Sequence, residues 1–387
     1  MNDDMRAVGA AMADEFDGQG DVVAVAPGRV NLLGGHTDYN EGYVLPVTID
    51  RRVVAVGRKR SDRTIAVRSR DYDERRSFSL DDVQRDGEVT WIDYVKGVAA
   101  QFRSDGLPGV DLAVGGDVPR GAGLASSAAF ELAIGAALSV LSDRSFSPRE
   151  LALRCWRAEN EFVGVECGIM DQFASALGRA ESALFLDCRS RSFERIPFDA
   201  GTIRVVVIDT NVTHELADSA YNRRRAECRE AAARFDELLN REVTTLRDVS
   251  PTEFETHADD VSPTLRDRCE HVVFENERVT TAAAALERGD VERVGELMFE
   301  SHASLRDRYE VSCPELDAVV EATRGHDAVV GSRMTGAGFG GCVVSLVRDE
   351  GVDALTAHVE REFADRFDAE PDAYVCDTAD GCRVHRE

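Results

Sequence analysis

Three glycine-rich stretches and one isolated acid hold most of the side chains that could bind or transform a ligand. The first, Pro27-Gly28-Arg29-Val30-Asn31-Leu32-Leu33-Gly34-Gly35-His36-Thr37-Asp38-Tyr39-Asn40, crowds Arg, Asn, His, Thr and Asp into a short span. Directed donors and acceptors of this kind suit a polyhydroxyl ligand. The same residues would also serve a polar turn with Asp38 and Asn40 as local caps. The second, Pro119-Arg120-Gly121-Ala122-Gly123-Leu124-Ala125-Ser126-Ser127-Ala128-Ala129, opens onto an apolar helical run. Glycines let backbone approach an anion, and the N–H groups of a first helical turn point at it. Ser126 and Ser127 either give a hydroxyl to a phosphate or metal, or cap the helix. No GxxxxGK[ST] is present, so this is not a Walker loop.

The third stretch runs Gly331-Ser332-Arg333-Met334-Thr335-Gly336-Ala337-Gly338-Phe339-Gly340-Gly341. Gly336, Gly338 and Gly341 match GxGxxG, but a strand-like run follows at 342–347 where the dinucleotide fingerprint requires a helix, which excludes a dehydrogenase. The acid is Asp171, in Cys167-Gly168-Ile169-Met170-Asp171-Gln172-Phe173. A carboxylate among apolar neighbours needs a cationic or hydrogen-bonding partner. With Glu159 twelve residues earlier, it offers the base-plus-metal-ligand division of phosphoryl transfer, or a structural ion pair. Neither GxSxG nor HExxH occurs, which leaves hydrolase readings without support.

These stretches need a scaffold. Strand patterns fall at 22–26, 53–56 and 64–68, and helical periodicity at 94–102, 128–141 and 148–162. Residues 183–186 and 204–209 return to strand character. A long amphipathic helix is predicted over 217–239, with further helix at 279–286 and 291–298. The last section reads strand 328–330, glycine turn, strand 343–347, a helix carrying Val352, Leu355, Val359 and Phe363, then strand. The pattern predicts an α+β protein of two domains, 1–180 and 181–387, with the texture changing near 175–200.

Composition narrows the function. The 387 residues carry 46 Lys+Arg against 72 Asp+Glu, a net charge of −26. Such a field repels polyanions and argues against nucleic acid. No apolar run approaches the ~20 residues that span a bilayer, and the acidic start Met1-Asn2-Asp3-Asp4-Met5 lacks signal-peptide character. A cytoplasmic protein with no membrane partner is expected. Only Lys59 and Lys96 are lysines. Excess carboxylate with so little lysine fits a salt-rich cytoplasm, where self-repulsion is screened. A GC-rich genome would explain the missing lysine but not the acid excess. The nine scattered cysteines form no CxxC pair and point to reduced thiols.

Together and in this order, the stretches resemble the galactokinases, sugar kinases of the GHMP superfamily. Residues 27–42 resemble the galactokinase signature, 119–129 the superfamily's phosphate loop, and 331–342 its third motif. Residues 91–98, 158–173, 221–228 and 300–317 are similar to galactokinases specifically. The resemblance implies an N-terminal domain like domain 2 of ribosomal protein S5 and a ferredoxin-like C-terminal domain, with the active site between them. It implies transfer from ATP, with Mg²⁺, to the anomeric hydroxyl of galactose. Asp171 would be the base, and Arg29 beside it would steady its charge and the transferring phosphoryl group. Ser127 and Glu159 would hold Mg²⁺. Gly121, Ala122, Gly123, Leu124, Ala125, Ser126 and Ser127 would wrap the ATP phosphates. Gly35, His36, Thr37, Asp38, Gly168 and Tyr221 fall at sugar-binding positions.

Two departures stand out. Gly35 replaces the usual Glu that contacts the outer hydroxyls of the sugar, notably O6, which weakens discrimination there unless Glu41 or water substitutes. Ala125 replaces the first of three serines. The alternatives are a related anomeric kinase for N-acetylgalactosamine, arabinose or another sugar, and a non-catalytic sugar-sensing paralogue. The intact Ser126-Ser127-Ala128-Ala129 favours the enzyme over the sensor.

Overall fold

In the computed structural model, residues 3–85, 87–198, 201–213 and 217–386 are described. Met1 and Asn2, part of the acidic start, lie outside them. A six-stranded sheet runs in the order Arg383–Arg386, Val22–Asn31, Pro46–Arg60, Gly109–Gly116, Thr64–Ser69 and Glu74–Ser79. Val22–Asn31 is buried throughout, and alternation along it shows why residues 22–26 are all apolar. Val22, Ala24 and Ala26 face the main core, while Val23 and Val25 face the helix Asp3–Phe16 through its Val8, Met12 and Phe16. Side chains of successive strand residues point to opposite faces, so a sheet covered on both sides needs an unbroken apolar run. The other face is covered by Ser126–Leu141, where 12 of 16 residues are buried.

A second sheet, ordered Val329–Met334, Gly340–Arg348, Ile203–Thr213 and Asp372–Cys376, is antiparallel throughout. It splits its faces in the same way. Val205, Val207, Val344 and Leu346 join the main core, whereas Val206, Ile208, Val343 and Val347 join a second core of the C-terminal half. The helix Pro263–Glu287 bridges the two cores, with Cys269 and Val272 in one and Val279 and Leu286 in the other. A three-stranded sheet of Tyr43–Val44, Ser182–Asp187 and Phe193–Pro197 links the halves again.

The mixed α+β architecture is the expected one. The chain nevertheless crosses the expected division at residue 180 on its way out: Arg383–Arg386 pairs with Val22–Asn31, and Thr378 bridges Ile49. The predicted helix at 148–162 ends as α-helix at Arg157 and continues as one π-helical segment, Ala158–Val163. Elements the pattern did not mark include Asp3–Phe16, Gly109–Gly116 and Pro314–Arg324.

Candidate active site

Arg29 and Asp171 form the centre. Arg29 lies beyond a register shift between Pro27 and Arg29 in its strand, and Asp171 is in the first turn of the helix Met170–Leu177. Ser175 of that helix donates to the Pro27 carbonyl at 2.6 Å, tying helix to strand. Arg29 then grips Asp171 with both arms of its fork: Nε donates to Oδ1 at 2.9 Å and Nη2 to Oδ2 at 2.6 Å. Its third arm, Nη1, donates to the Gly123 carbonyl at 2.6 Å. One buried guanidinium thus joins the acid to the second glycine stretch, in the bidentate geometry that fixes both partners.

The second and third glycine stretches press on each other. A Cβ on Gly123 would stand 3.0 Å from the Thr335 carbonyl and 3.1 Å from the Gly336 Cα. Gly123 and Gly336 also adopt φ of +77° and +85°, so both backbone shape and contact require glycine there. Ser126 and Ser127 do not cap their helix: Ala125 holds the cap position at φ 60°, with no side-chain bond to the first turn. Ala122, Leu124 and Ala125 turn their side chains into the interior, leaving this loop to act through backbone and the two hydroxyls. After the third stretch comes the strand Gly340–Arg348, as expected.

Glu159 sits on the π-helical segment. Its Oε2 accepts from Gln172 Nε2 at 2.6 Å and from the Cys167 thiol at 3.3 Å, and its carboxylate also interacts with the Ser127 hydroxyl. Burial raises its pKa, and the nearby charge of Asp171 adds to the rise, against the hydrogen bonds from Cys167, Gln172 and Ser127. Gln172 also reaches Glu131 at 3.2 Å. Burial, reinforced by Glu159, lifts the fully buried Glu131 well above the carboxylate range.

A cavity of about 230 Å³ opens over Arg29 and Asp171, lined also by Gly35, His36, Asp38, Gly168 and Tyr221. That is below the ~300–1,000 Å³ of drug-sized sites and fits a single sugar ring. Asp38 packs so closely on Gly168 that any Cβ there would overlap its carboxylate. Burial and the neighbouring Asp171 charge raise the Asp38 pKa to about 6, against the pull of the Tyr39 backbone N–H, Arg29 and Arg225. His36 is wired in one direction. Its Nε2 lies 3.1 Å from the Ala337 carbonyl, which only accepts, so Nε2 carries the proton. Nδ1 therefore accepts from Tyr39 at 2.8 Å, Tyr39 from Tyr309 at 2.8 Å, and Tyr309 from Cys228 at 2.9 Å. Burial, with His271 nearby, pulls the His36 pKa down to about 3, so the ring is neutral.

Two expected residues lie outside the cavity lining. Thr37 is buried with its hydroxyl 3.0 and 2.6 Å from the carbonyls of Gly34 and Tyr43, where it shapes the turn. Glu41, considered as a stand-in for the missing glutamate, is paired with Arg189 at 2.8 Å and does not line the cavity. The structure adds Asn31, Arg333 and Ala337 to the lining. It also shows a second cavity of about 200 Å³ beside Gly121, Ser126 and Ser127, where Tyr72 and Trp91 stack at 5.7 Å and Arg120 lies over Tyr72.

Comparison with known proteins settles the family. Three family models match: GHMP kinases N terminal domain at residues 93–179, galactokinase galactose-binding signature at 12–59, and GHMP kinases C terminal at 282–365. The galactokinase of Roseiflexus sp. (strain RS-1) is 44 % identical over 93 % of this chain and 92 % of its own. That of Chloroflexus aggregans is 45 % identical over the same shares. The chain belongs to the galactokinase family. The solved structure of Lactococcus lactis galactokinase complexed with galactose superposes with a TM-score of 0.93 at 34 % identity, covering 98 % of this chain and 99 % of that one. A mevalonate kinase at 16 % identity, TM-score 0.66, shares the GHMP kinase fold over 92 % of this chain and 99 % of its own. Among the described residues no cluster of three or more His, Cys, Asp or Glu is placed to hold a metal. A galactokinase needs no such cluster if its ion is shared with substrate phosphates, because Mg²⁺ is commonly bound by one or two carboxylates plus phosphate oxygens.

Proposed function

We propose that this chain, an enzyme of the galactokinase family, phosphorylates the anomeric hydroxyl of galactose at the expense of ATP, with Asp171 as base. The observation that carries the reading is the bidentate Arg29–Asp171 pair, bonded to the Gly123 carbonyl and facing a cavity the size of one sugar. Asp171 takes the proton from the C1 hydroxyl as that oxygen attacks the γ-phosphorus. Arg29 holds the carboxylate in place and lends its charge to the transferring group. In a metaphosphate-like transition state, positioning and charge stabilisation do most of the work. The backbone of residues 121–127 and the N-terminus of Ser126–Leu141 receive the phosphates. Tyr72 and Trp91 offer aromatic surface to the base. Asp38 and the neutral His36 orient the sugar hydroxyls, with Tyr221 closing the cavity wall.

The donor set suits Mg²⁺. Glu159 is a buried carboxylate bonded only by neutral groups among the described residues, with the Ser127 hydroxyl beside it. Ser127 and Glu159 would hold the ion, which supplies charge neutralisation at the phosphate oxygens when bound. Incubation with ATP, Mg²⁺ and galactose at high salt tests the reading by ADP release and by NMR assignment of the phosphorylated carbon. A C1 phosphate is expected; absence of ADP release, or phosphate on another carbon, overturns it. The net charge of −26 with two lysines further supports a salt-rich cytoplasm. Thermal stability should then rise between low and molar KCl, and a fall would remove that assignment.

A further inference from the structure

Among the described residues, Arg333 is the buried arginine on the cavity wall with a guanidinium nitrogen that no hydrogen bond uses. It is 1 % exposed and lines the cavity. Its Nε donates to the Met334 carbonyl at 2.9 Å and its Nη1 to the Leu32 carbonyl at 3.3 Å. Among the described residues, no acceptor bonds Nη2. Glu275 approaches Nη1 only to 3.6 Å, because its oxygens are already taken by the Gly34 and Gly35 N–H groups at 2.9 and 3.2 Å, the Ser301 hydroxyl at 2.7 Å and Arg278 Nε at 2.6 Å. Two guanidiniums therefore share one carboxylate, and the cluster keeps one positive charge out of water. Burial, against the pull of Glu275, draws the Arg333 pKa down to about 10, so this cation is under-compensated.

Gly35 decides what Nη2 faces. A Cβ at residue 35 would stand 2.5 Å from that nitrogen. Any side chain there would sit on the guanidinium, and a glutamate would neutralise it. With glycine, the N–H groups of Nη2 are presented at the cavity wall, and the ligand is left to supply the anion.

We propose that the cavity also accepts a hexuronic acid, its carboxylate docked on Nη2 of Arg333 beside Gly35. The proposal rests on the sugar-kinase reading above and names a second substrate class for the same site. In an aldohexose pyranose, C6 is the one carbon that can become a carboxylate while the ring, its hydroxyls and the reacting anomeric hydroxyl stay intact. A guanidinium takes a carboxylate in directional, charge-assisted bonds. The opposite orientation is disfavoured by Asp38, whose carboxylate faces the same cavity from the Gly168 side. Arg29 and Asp171 neutralise one another and attract neither end. The reaction is unchanged: the anomeric O–H bond breaks with its proton passing to Asp171, an O–P bond forms to the γ-phosphorus, the bridging P–O bond of ATP breaks and ADP leaves. The carboxylate takes no part.

The test measures ADP release with ATP and Mg²⁺ from D-galactose, D-galacturonate and 6-deoxy-D-galactose, in the wild type and in Gly35→Glu. Galacturonate should be turned over with kcat/KM within about tenfold of galactose and clearly above the 6-deoxy sugar. In Gly35→Glu the galacturonate-to-galactose ratio should fall by about 100-fold, the scale of one charge-assisted hydrogen bond. The variant asks the Nη2 end of Arg333 to move and the Leu305 side chain, 3.3 Å from the new Cβ, to give slightly, so its folding is checked by thermal melting. Arg333→Met should lower the same ratio if it folds. Galactose turnover without galacturonate turnover overturns the proposal, as does a ratio unmoved by Gly35→Glu, or a 6-deoxy sugar handled as well as the acid. If no sugar yields ADP, the kinase reading itself fails, which the galactose arm makes visible.

Discussion

On one side of the cavity, Glu159 and Glu131 share a single neutral donor, Gln172, and no cationic side chain among the described residues bonds either one. On the other, Glu275 is surrounded by Arg278, Arg333 and two backbone N–H groups. Both clusters are buried, and both would be costly if their charges were left alone. They err in opposite directions: burial wins at Glu159 and Glu131 and raises their pKa values, whereas at Glu275 Arg278 and Arg333 outweigh burial and hold the carboxyl well below the usual range. A buried imbalance of this kind describes the missing ligand. The acid-rich side asks for a cation, and the arginine-rich side for an anion. Between them stands Arg29–Asp171, one charge of each sign in bidentate contact, and chemistry is proposed at the pair that is already balanced.

The largest effect should come from breaking that balanced pair. Asp171→Asn keeps the shape but removes the base, so kcat should fall by roughly 10²–10⁴ while ATP still binds. Normal turnover in this variant would exclude Asp171. The arginine-rich cluster should respond in stability. Glu275→Gln leaves two buried guanidiniums without a counter-charge and should cost about 3–5 kcal/mol in chemical denaturation. A loss below ~1 kcal/mol would mean that water or a distant acid already compensates them.

Much of the balanced pair was legible before any coordinates, and the flanking imbalance was not. Arg29, Ser127, Glu159 and Asp171 each lie in a short stretch whose glycines, serines or isolated acid mark it locally; Arg29 bonds Asp171, and Glu159 interacts with Ser127. Arg333 lies inside the third stretch but looks there like one strand residue among others. Its importance comes from Glu275 and Leu32, and the Leu32 carbonyl it bonds is 301 residues away. Glu275 sits mid-way along a 25-residue helix with apolar residues on several faces, so no period singles it out. Thr37 misled for the opposite reason: its type suits a sugar hydroxyl, but the turn consumed it. The strand Gly109–Gly116 escaped notice because glycines at 109, 115 and 116 bound it and Asp111 interrupts the short apolar run between them. The helix Asp3–Phe16 did so because only Val8, Met12 and Phe16 of its residues are buried.

Acidification separates the histidines of the arginine-rich side from the acids. His36 is held neutral at a pKa of about 3 and His271 at about 4, both chiefly by burial. Unfolded histidines take protons near pH 6.5, so between pH 6.5 and 4 the unfolded chain binds more protons and stability falls with pH. Asp38 works the other way: its raised folded value of about 6 means the native state takes up a proton first and regains part of the loss. From pH 7 to 5.5 these three groups together should cost about 2 kcal/mol. Glu131, lifted well above the carboxylate range in the native state, takes up a proton on folding and returns about as much, so the loss is read in Glu131→Gln by denaturation at the two pH values. Asp38→Asn removes the offset and should steepen the fall. A Glu131→Gln variant whose stability rises on acidification would show that the histidines are not buried neutral.

The smallest effect should be the sharpest discriminator within the acid-rich cluster. Glu131 is 0 % exposed, has Oε1 without a hydrogen-bond partner among the described residues, and lies beside a second carboxylate. Two buried acids this close with no cation bonded to either cannot both ionise cheaply, and the deeper one keeps its proton. An amide is then a fair copy of the protonated Glu131, so Glu131→Gln should leave the Mg²⁺ requirement unmoved. At about pH 4, where the unfolded chain carries the same proton, it should change stability by less than ~1 kcal/mol. Glu159→Gln removes a charge the ion needs and should raise the Mg²⁺ concentration for half-maximal activity by at least ~10–100-fold, the range seen even for the outer partners of metal ligands. Titrating both variants with Mg²⁺ tells the two acids apart. If Glu131→Gln moved the requirement as far as Glu159→Gln, the charge would be shared between them, and the acid-rich side would be a two-carboxylate ligand set in place of one ligand and its neutral support.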